Sequence, residues 1–268
     1  TLAPLLLILI GYSSISRERE SQTLSYLLAQ GTKGSTLIAG KGLALLCVVG
    51  LIIAPLAVSA LFTLGAGESL LAVVSFIVGY ALYLSVWVLV VLLASSVFSK
   101  NSGSFTALAF VWILLCIVMP RVASTSASTA VTSAGKIETD FAVKAELRKL
   151  GDGHNTNDPA FKQFKQSLLK KYNVSSIDEL PVNFRGLVAS ESEVKQTKVL
   201  NQFAEQRMQS ELKQTQVSRY FGWVSPMVAI RSLSMIVVGT SIETHHRFLR
   251  ETEQLRFDFV QGLNKVHI

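Results

Sequence analysis

Charge is nearly missing from the first half of this chain: between Gly42 and Ser99 the only charged side chain is Glu68, and from Asn101 to Pro120 there is none. A water-facing helix surface is excluded over both stretches. Lipid tails account for them, because a charge at the bilayer centre costs about 2.5–3.5 kcal/mol even on insertion scales. Cysteine is also scarce. Cys47 and Cys116 both lie in apolar runs, and the polar half has none. Neither a disulfide framework nor a thiolate metal site is supported. No Gly-x-x-x-x-Gly-Lys-Ser/Thr motif occurs, since Gly31-Thr-Lys-Gly-Ser35 has the wrong spacing, so this chain has no phosphate cradle for ATP. His-Glu-x-x-His and Gly-x-Ser-x-Gly are absent too, and with no catalytic set the chain does not read as an enzyme. The net charge of +7 is spread without a Lys/Arg block, which gives no indication of nucleic-acid binding. No convincing alternation of strand type appears.

What remains is a set of apolar helices followed by a polar region. Glu68 sits in the break Gly65-Ala-Gly-Glu-Ser69 and divides the longest apolar stretch into spans 42–64 and 71–98. As helices these measure about 34 and 42 Å, enough for the roughly 30 Å hydrocarbon core. Residues 103–121 form a third span near the minimum length, and Pro55 is positioned to kink the first. The run Leu2–Ile10 is too short to cross. With Thr1 already inside it, residues 1–12 read as the end of a partial span that begins upstream.

Basic residues divide unevenly: Arg17, Arg19, Lys33, Lys41 and Lys100 precede residue 121, and the other twenty begin with Arg121. Four lie in the 13–41 loop and Lys100 in 99–104, while 65–70 has none. The positive-inside rule therefore places 13–41 and 99–104 in the cytoplasm and 65–70 outside. Counting spans puts residues 122–268 outside. Long translocated domains escape the charge rule, so their many basic residues do not conflict. The expected organisation is 1–121 transmembrane and 122–268 extracytoplasmic. The fold class is all-α, a polytopic transmembrane helix bundle with a mainly helical outer domain.

In the 13–41 loop Ser16 is placed to cap a helix, Glu18 and Glu20 suit its first turn, Leu24, Leu27 and Leu28 form an apolar stripe, and Gly31 suits a C-terminal cap. These residues alone describe one short amphipathic interfacial helix joining two spans. The segment Arg17-Glu-Arg-Glu-Ser-Gln-Thr-Leu24, with Leu27-Leu28, Gly31 and Gly40-Lys41, closely resembles the corresponding loop of ABC-2 type transporter permeases. There an Arg-Glu-Arg-Glu-x-x-Thr-Leu stretch precedes a Gly-Lys that opens the next span, and the loop docks on the ATP-binding subunit. Gln22 stands where that family often has Gly. The resemblance implies that Arg17, Glu18, Arg19, Glu20, Thr23 and Leu24 contact an ATPase subunit and that Gly40 and Lys41 mark the membrane entry.

Residues 122–135 read as a linker or as an extension of the preceding helix. Beyond them Asp158-Pro159 caps a helix bearing Phe161, Phe164, Leu168 and Tyr172, and 187–219 carries Leu200, Ala204, Met208 and Leu212 on one face. A further helix starts at Ile242 with Phe248, Leu255, Phe259 and Leu263. Met227–Gly239, about thirteen residues, is too short to span and reads as a core or interfacial helix. Ile177 to Leu187, Ser225-Pro226, Ile230 to Met235, Gly239-Thr240, His245-His246, Phe248 and Arg256 form an ordered set. It resembles the branch of these permeases with a large extracytoplasmic insert before the last span. Six spans are implied, with a further helix upstream and another downstream.

His245 and His246 beside Glu243 and Glu251 do not make a metal site, because adjacent helical side chains diverge by about 100°. Asn173-Val-Ser175 is a chance sequon. Ser59, Ser75, Ser85 and Ser95 read as hydroxyls that seal helix contacts. Tyr80, Tyr83 and Trp87 share a face and are candidates to line a path. The expected function is the permease subunit of a transporter in the bacterial inner membrane, exporting solute with ATP hydrolysed by a partner subunit. The expected partners are that ATPase, a second permease copy or homologue and the lipid bilayer; no cofactor is bound directly and no metal is held. An alternative of another class is a membrane-anchored scaffold or sensor whose outer domain binds an envelope partner.

Overall fold

The computed structural model describes residues 2–133, 135–150 and 161–267. Among them every regular element is helical, and the chain is an all-α, polytopic bundle. In order the helices are α1 (Leu2–Gly11), α2 (Ser16–Glu20), α3 (Thr23–Ala29), α4 (Gly34–Gly65), α5 (Leu70–Val97), α6 (Asn101–Ile113), α7 (Met119–Ala130), α8 (Lys136–Leu150), α9 (Lys162–Tyr172), α10 (Phe184–Tyr220), α11 (Pro226–Val237) and α12 (Ile242–His267). They group into two compact units, one of Thr1–Ala130 with Thr215–Ser241, the other of Val131–Gln214 with Ile242–Ile268. The division differs from the expected break at 121/122, because α7 continues the apolar helix to Ala130 and α11 packs with the apolar unit.

Among the described residues four stretches are long and apolar enough to cross a membrane: Gly34–Gly65, Leu70–Val97, Asn101–Ala130 and Pro226–Val266. The first and third extend past their charge-free cores, at Lys41 and at Arg121, as helices do when backbone pairing continues into the interface, whereas Leu70–Val97 lies wholly within its charge-free stretch. Pro55 stays inside an uninterrupted α4. The fourth stretch is interrupted at 238–241, and its apolar part is α11.

Helix α5 is the hub of the apolar unit, touching α1, α4, α6 and α11. Its inward side chains Tyr83, Leu84, Trp87, Val88, Val91 and Leu92 recur at helical spacing and are buried. Between them Leu82, Leu89 and Leu93 are 64–67% exposed and face lipid. Lipid tails are as apolar as these side chains, so burial itself gives little; close approach and shape decide. A Cβ on Gly11 would stand 2.6 Å from Val91 Cγ1 and 3.1 Å from Leu45 Cδ2, so α1 meets α5 and α4 where only glycine fits. A Cβ on Gly79 would stand 2.8 Å from Leu233 Cδ2 at the α5–α11 contact. Helix α11 runs antiparallel to the Leu70 half of α5, with Met227 beside Tyr83 and Ser234 hydrogen-bonded to Tyr80. The expectation over 227–239 is a core or interfacial helix of the outer domain, too short to span; the helix instead packs in the apolar unit and belongs to a stretch long and apolar enough to cross a membrane.

Between α6 and α7 the helix widens into a π turn over Leu114–Val118. In π spacing the N–H of residue 120 would reach the carbonyl of Leu115, but residue 120 is proline and has no N–H. The Ser225 hydroxyl donates to that carbonyl instead at 2.7 Å, while its oxygen caps the first turn of α11 at Val228 N. A backbone acceptor at membrane depth is thereby satisfied, as a lipid environment requires.

The polar unit has a small core in which Phe161, Leu168, Phe184 and Val188 are buried against Phe164, Tyr172, Ile177, Leu180 and Leu187. The expected apolar face of α9 forms this core; Asp158 and Pro159 lie outside the described residues. Helices α10 and α12 run antiparallel and are joined by polar pairs: Ser190 to Gln261 at 2.6 Å, Glu193 to Arg256 at 2.7 Å, Glu205 to Arg250 at 2.8 Å and Glu211 to His246 at 2.9 Å. Phe248, Leu255 and Phe259 of α12 are 62–71% exposed, so its apolar stripe is not what seats it on α10.

Candidate functional site

The segment from Gly11 to Lys41 sits at the end of the bundle where α5 finishes and α6 begins. After Gly11 the chain turns, and α2 opens with its first N–H groups pointing at α5. Ile15 N and Ser16 N both donate to Ser95 Oγ, at 2.7 and 3.1 Å. These are N–H groups that a helix start leaves unpaired, and a hydroxyl some eighty residues away caps them. Ser16 is therefore not the cap that the sequence suggests. Its own hydroxyl is fully buried, 2.7 Å from Asn101 Oδ1 and 3.1 Å from the Tyr12 carbonyl. The Ser104 hydroxyl donates to the same carbonyl at 2.8 Å, and the Tyr12 ring meets Phe105 edge-on at 5.4 Å. One satisfied polar node joins α1, α2, α5 and α6.

The four charges of the motif fall into different environments. Glu18 pairs with Lys41 of α4 at 2.7 Å, while its second oxygen, Oε2, is buried without a partner. Glu20 accepts from Asn101 N at 3.0 Å, where a carboxylate complements the N-terminus of α6. Arg19 donates to the Val97 carbonyl at 3.3 Å, at the C-terminus of α5, where a cation is favoured. Arg17 is exposed. Three of the four thus tie α2 to the ends of spans, and Arg17 is left on the surface.

The expected single amphipathic helix is two. Gln22 is left-handed, with φ of 60°, and separates α2 from α3. The break is stabilised locally: Ser21 donates to the Arg17 carbonyl at 2.8 Å and Thr23 to the Glu18 carbonyl at 3.2 Å, taking acceptors that a continuing helix would use. Thr23 thus works within the turn. Leu24 and Leu27 are half-buried, whereas Tyr26 and Leu28 are exposed. Helix α3 ends as expected at Gly31, whose φ of 89° admits the double closure Gly31 N to Leu28 O and Thr32 N to Leu27 O. Gly40 is exposed on α4, a turn before the apolar core.

Tyr80, Tyr83 and Trp87 lie together on the inner face of α5, but packed rather than lining an open path. Trp87 is 1% and Tyr83 7% exposed. The Tyr83 hydroxyl contacts Cys116 Sγ of the π turn at 4.0 Å and Met227 Sδ of α11 at 3.7 Å, and Tyr80 accepts from Ser234 at 3.1 Å.

Residues 136–266 match the family described as Domain of unknown function (DUF3526). No curated protein and no solved structure matches the chain. The match takes in α8 to α12 and leaves the whole Gly11–Lys41 segment outside it.

Within the matched region His246 is buried and shares a hydrogen bond with Glu211 across α10 and α12. Burial pushes the Glu211 carboxyl up, yet hydrogen bonds from His246 and Arg207 outweigh it and hold the group below its ordinary value. Among the described residues no group of three or more His, Cys, Asp or Glu side chains is arranged to hold a metal ion. Sequence reasoning did not single out Asn101 and Ser104. Their signal is positional: they are polar residues within one turn of a span's start, facing a loop that must be held.

Proposed function

We propose that this chain is the membrane subunit of an ABC-2 type transporter, driven by an ATPase on a separate polypeptide and paired with a second permease copy or homologue. The observation that carries the reading is the construction of the Arg17–Ala29 segment. Its inner side is fixed to α4, α5 and α6 through Glu18–Lys41, Ser95, Glu20 and Arg19, and its outer side offers Arg17, Tyr26 and Leu28. A rigid foot with an exposed cationic and apolar face is what a motor subunit needs in order to push spans without unfolding a loop. The segment faces the cytoplasm of a bacterial inner membrane in this reading, and the Val131–Gln214 helices lie outside it. Glu18, Glu20 and Lys41 are positioning residues, and Arg17, Tyr26 and Leu28 make the docking contact. Thr23 and Leu24 support that face, and the solute is moved outward.

The test co-expresses this chain with candidate ABC-type ATPase subunits from the same genome and reconstitutes them together in proteoliposomes. Arg17→Glu or Leu28→Asp is expected to abolish co-purification. Glu18→Gln or Lys41→Met is expected to retain the ATPase while reducing permease-stimulated ATP hydrolysis several-fold. An unchanged complex in both docking variants sinks the reading, as does labelling of Tyr26→Cys from the periplasmic side of intact cells.

A further inference from the structure

At the opposite end of the apolar unit, beside the α4–α5 turn, lies a cavity of about 340 Å³. That volume is within the range of small-molecule sites. Its walls are Leu56 and Ala60 of α4, Val73 and Phe76 of α5, and Val237 at the end of α11. We infer that this cavity binds a cationic amphiphile, a slender apolar body carrying a substituted ammonium group.

The inference rests on which polar atoms face the space. The one charged lining residue is Glu68, the same carboxylate that interrupts the charge-free stretch. It is held in place by backbone closure: Gly67, at φ of 97°, donates to the Leu64 carbonyl at 3.1 Å and Glu68 N to the Thr63 carbonyl at 3.2 Å. Among the described residues no basic side chain lines the cavity and none pairs with Glu68. The hydroxyls of Ser59 and Thr63 have committed their protons to the Leu56 and Ala60 carbonyls at 2.9 and 2.7 Å. They therefore present only lone pairs to an occupant. Every polar group is an acceptor and one is anionic, so an ammonium head completes the site and a phosphate or sulfate head is repelled. Phe76 adds an aromatic ring, a surface that quaternary ammonium groups favour. The inference does not depend on the transporter reading, since binding needs neither ATP nor a partner.

The experiment places the full chain in nanodiscs of neutral lipid and labels it with matched photoreactive probes, dodecyl-trimethylammonium and dodecyl sulfate, mapping the adducts by mass spectrometry. The ammonium probe is expected to label the Leu56–Phe76 peptides about two- to fivefold more than the sulfate, the discrimination that one solvent-exposed ion pair supplies. Glu68→Gln removes that preference, Glu68→Asp keeps most of it, and Ala60→Phe blocks both probes. Glu68 lies in an exposed turn, so its neutral variant leaves the fold intact. Equal labelling by the two probes, or a preference that survives Glu68→Gln, overturns the proposal. So does equal labelling by photoreactive phosphatidylethanolamine, whose phosphate cancels its ammonium charge; the cavity is then a plain lipid groove.

Discussion

In the apolar unit α5 meets its neighbours mainly through Val, Leu and aromatic side chains, with few hydroxyls, among them Ser95 on the backbone of α2 and the Tyr80–Ser234 pair. Helices α10 and α12 of the polar unit meet through carboxylates, guanidinium groups and amides, and leave Phe248, Leu255 and Phe259 outside. The contrast follows from the solvent each contact competes with. Lipid offers no hydrogen bonds, so a single Ser95 or Ser225 is decisive there. Water offers many, so each ion pair between α10 and α12 contributes little and several are used.

The comparison breaks most sharply at glycine. Gly11→Val forces atoms against Val91, which is β-branched and fully buried and cannot turn aside. A loss of about 2–3 kcal/mol is expected from unfolding in mild detergent followed by tryptophan fluorescence. Gly79→Ala meets side-chain methyl ends of Leu233 and Ile230, of which only Leu233 Cδ2 is too close, and should cost under about 1 kcal/mol, so a reversed order of the two variants refutes this account. Next comes Ser95→Ala, which strands Ile15 N and Ser16 N. About 1–3 kcal/mol is expected, with faster hydrogen exchange confined to residues 15–20.

Ser225→Ala strands the Leu115 carbonyl and is expected to cost about 1 kcal/mol or more. Pro120→Ala supplies the missing N–H, so the double variant should recover part of that loss; strict additivity in the cycle sinks the π-turn argument. The smallest effect is expected at the polar pairs. Arg256→Gln should shift stability by less than about 1 kcal/mol, and the shift should shrink in high salt. Glu211 gives this pairing its pH dependence. Its carboxyl titrates below the ordinary value in the folded chain, so its contribution is complete above the usual carboxylate range, roughly 4.3, and is lost as pH falls through the lower folded value. Glu211→Gln should flatten the acid limb of the unfolding curve for the polar unit.

The apolar helices were legible because an absence of charge is read one residue at a time, and Glu68 marked the α4–α5 turn to within a few residues. Gly31 was legible as a terminator because few residues adopt its φ. The break at Gln22 was not, since it depends on Ser21 and Thr23 hydroxyls choosing carbonyls rather than on any helix-breaking residue. Nor was the placement of α11. Counting residues judges whether a helix spans alone, and α11 is held by Tyr80, Tyr83 and Leu115, which lie 110 or more positions away. In the motif, charge pattern did not give the destinations of the side chains: Glu18 pairs with Lys41, and the exposed Glu20 accepts from Asn101 N.

Glu18 meets Lys41 through one carboxylate oxygen only, and its other oxygen, Oε2, is shielded without a protein partner. A shielded acceptor left unpaired costs free energy, so this tie between α2 and the foot of α4 is weaker than its 2.7 Å separation alone suggests.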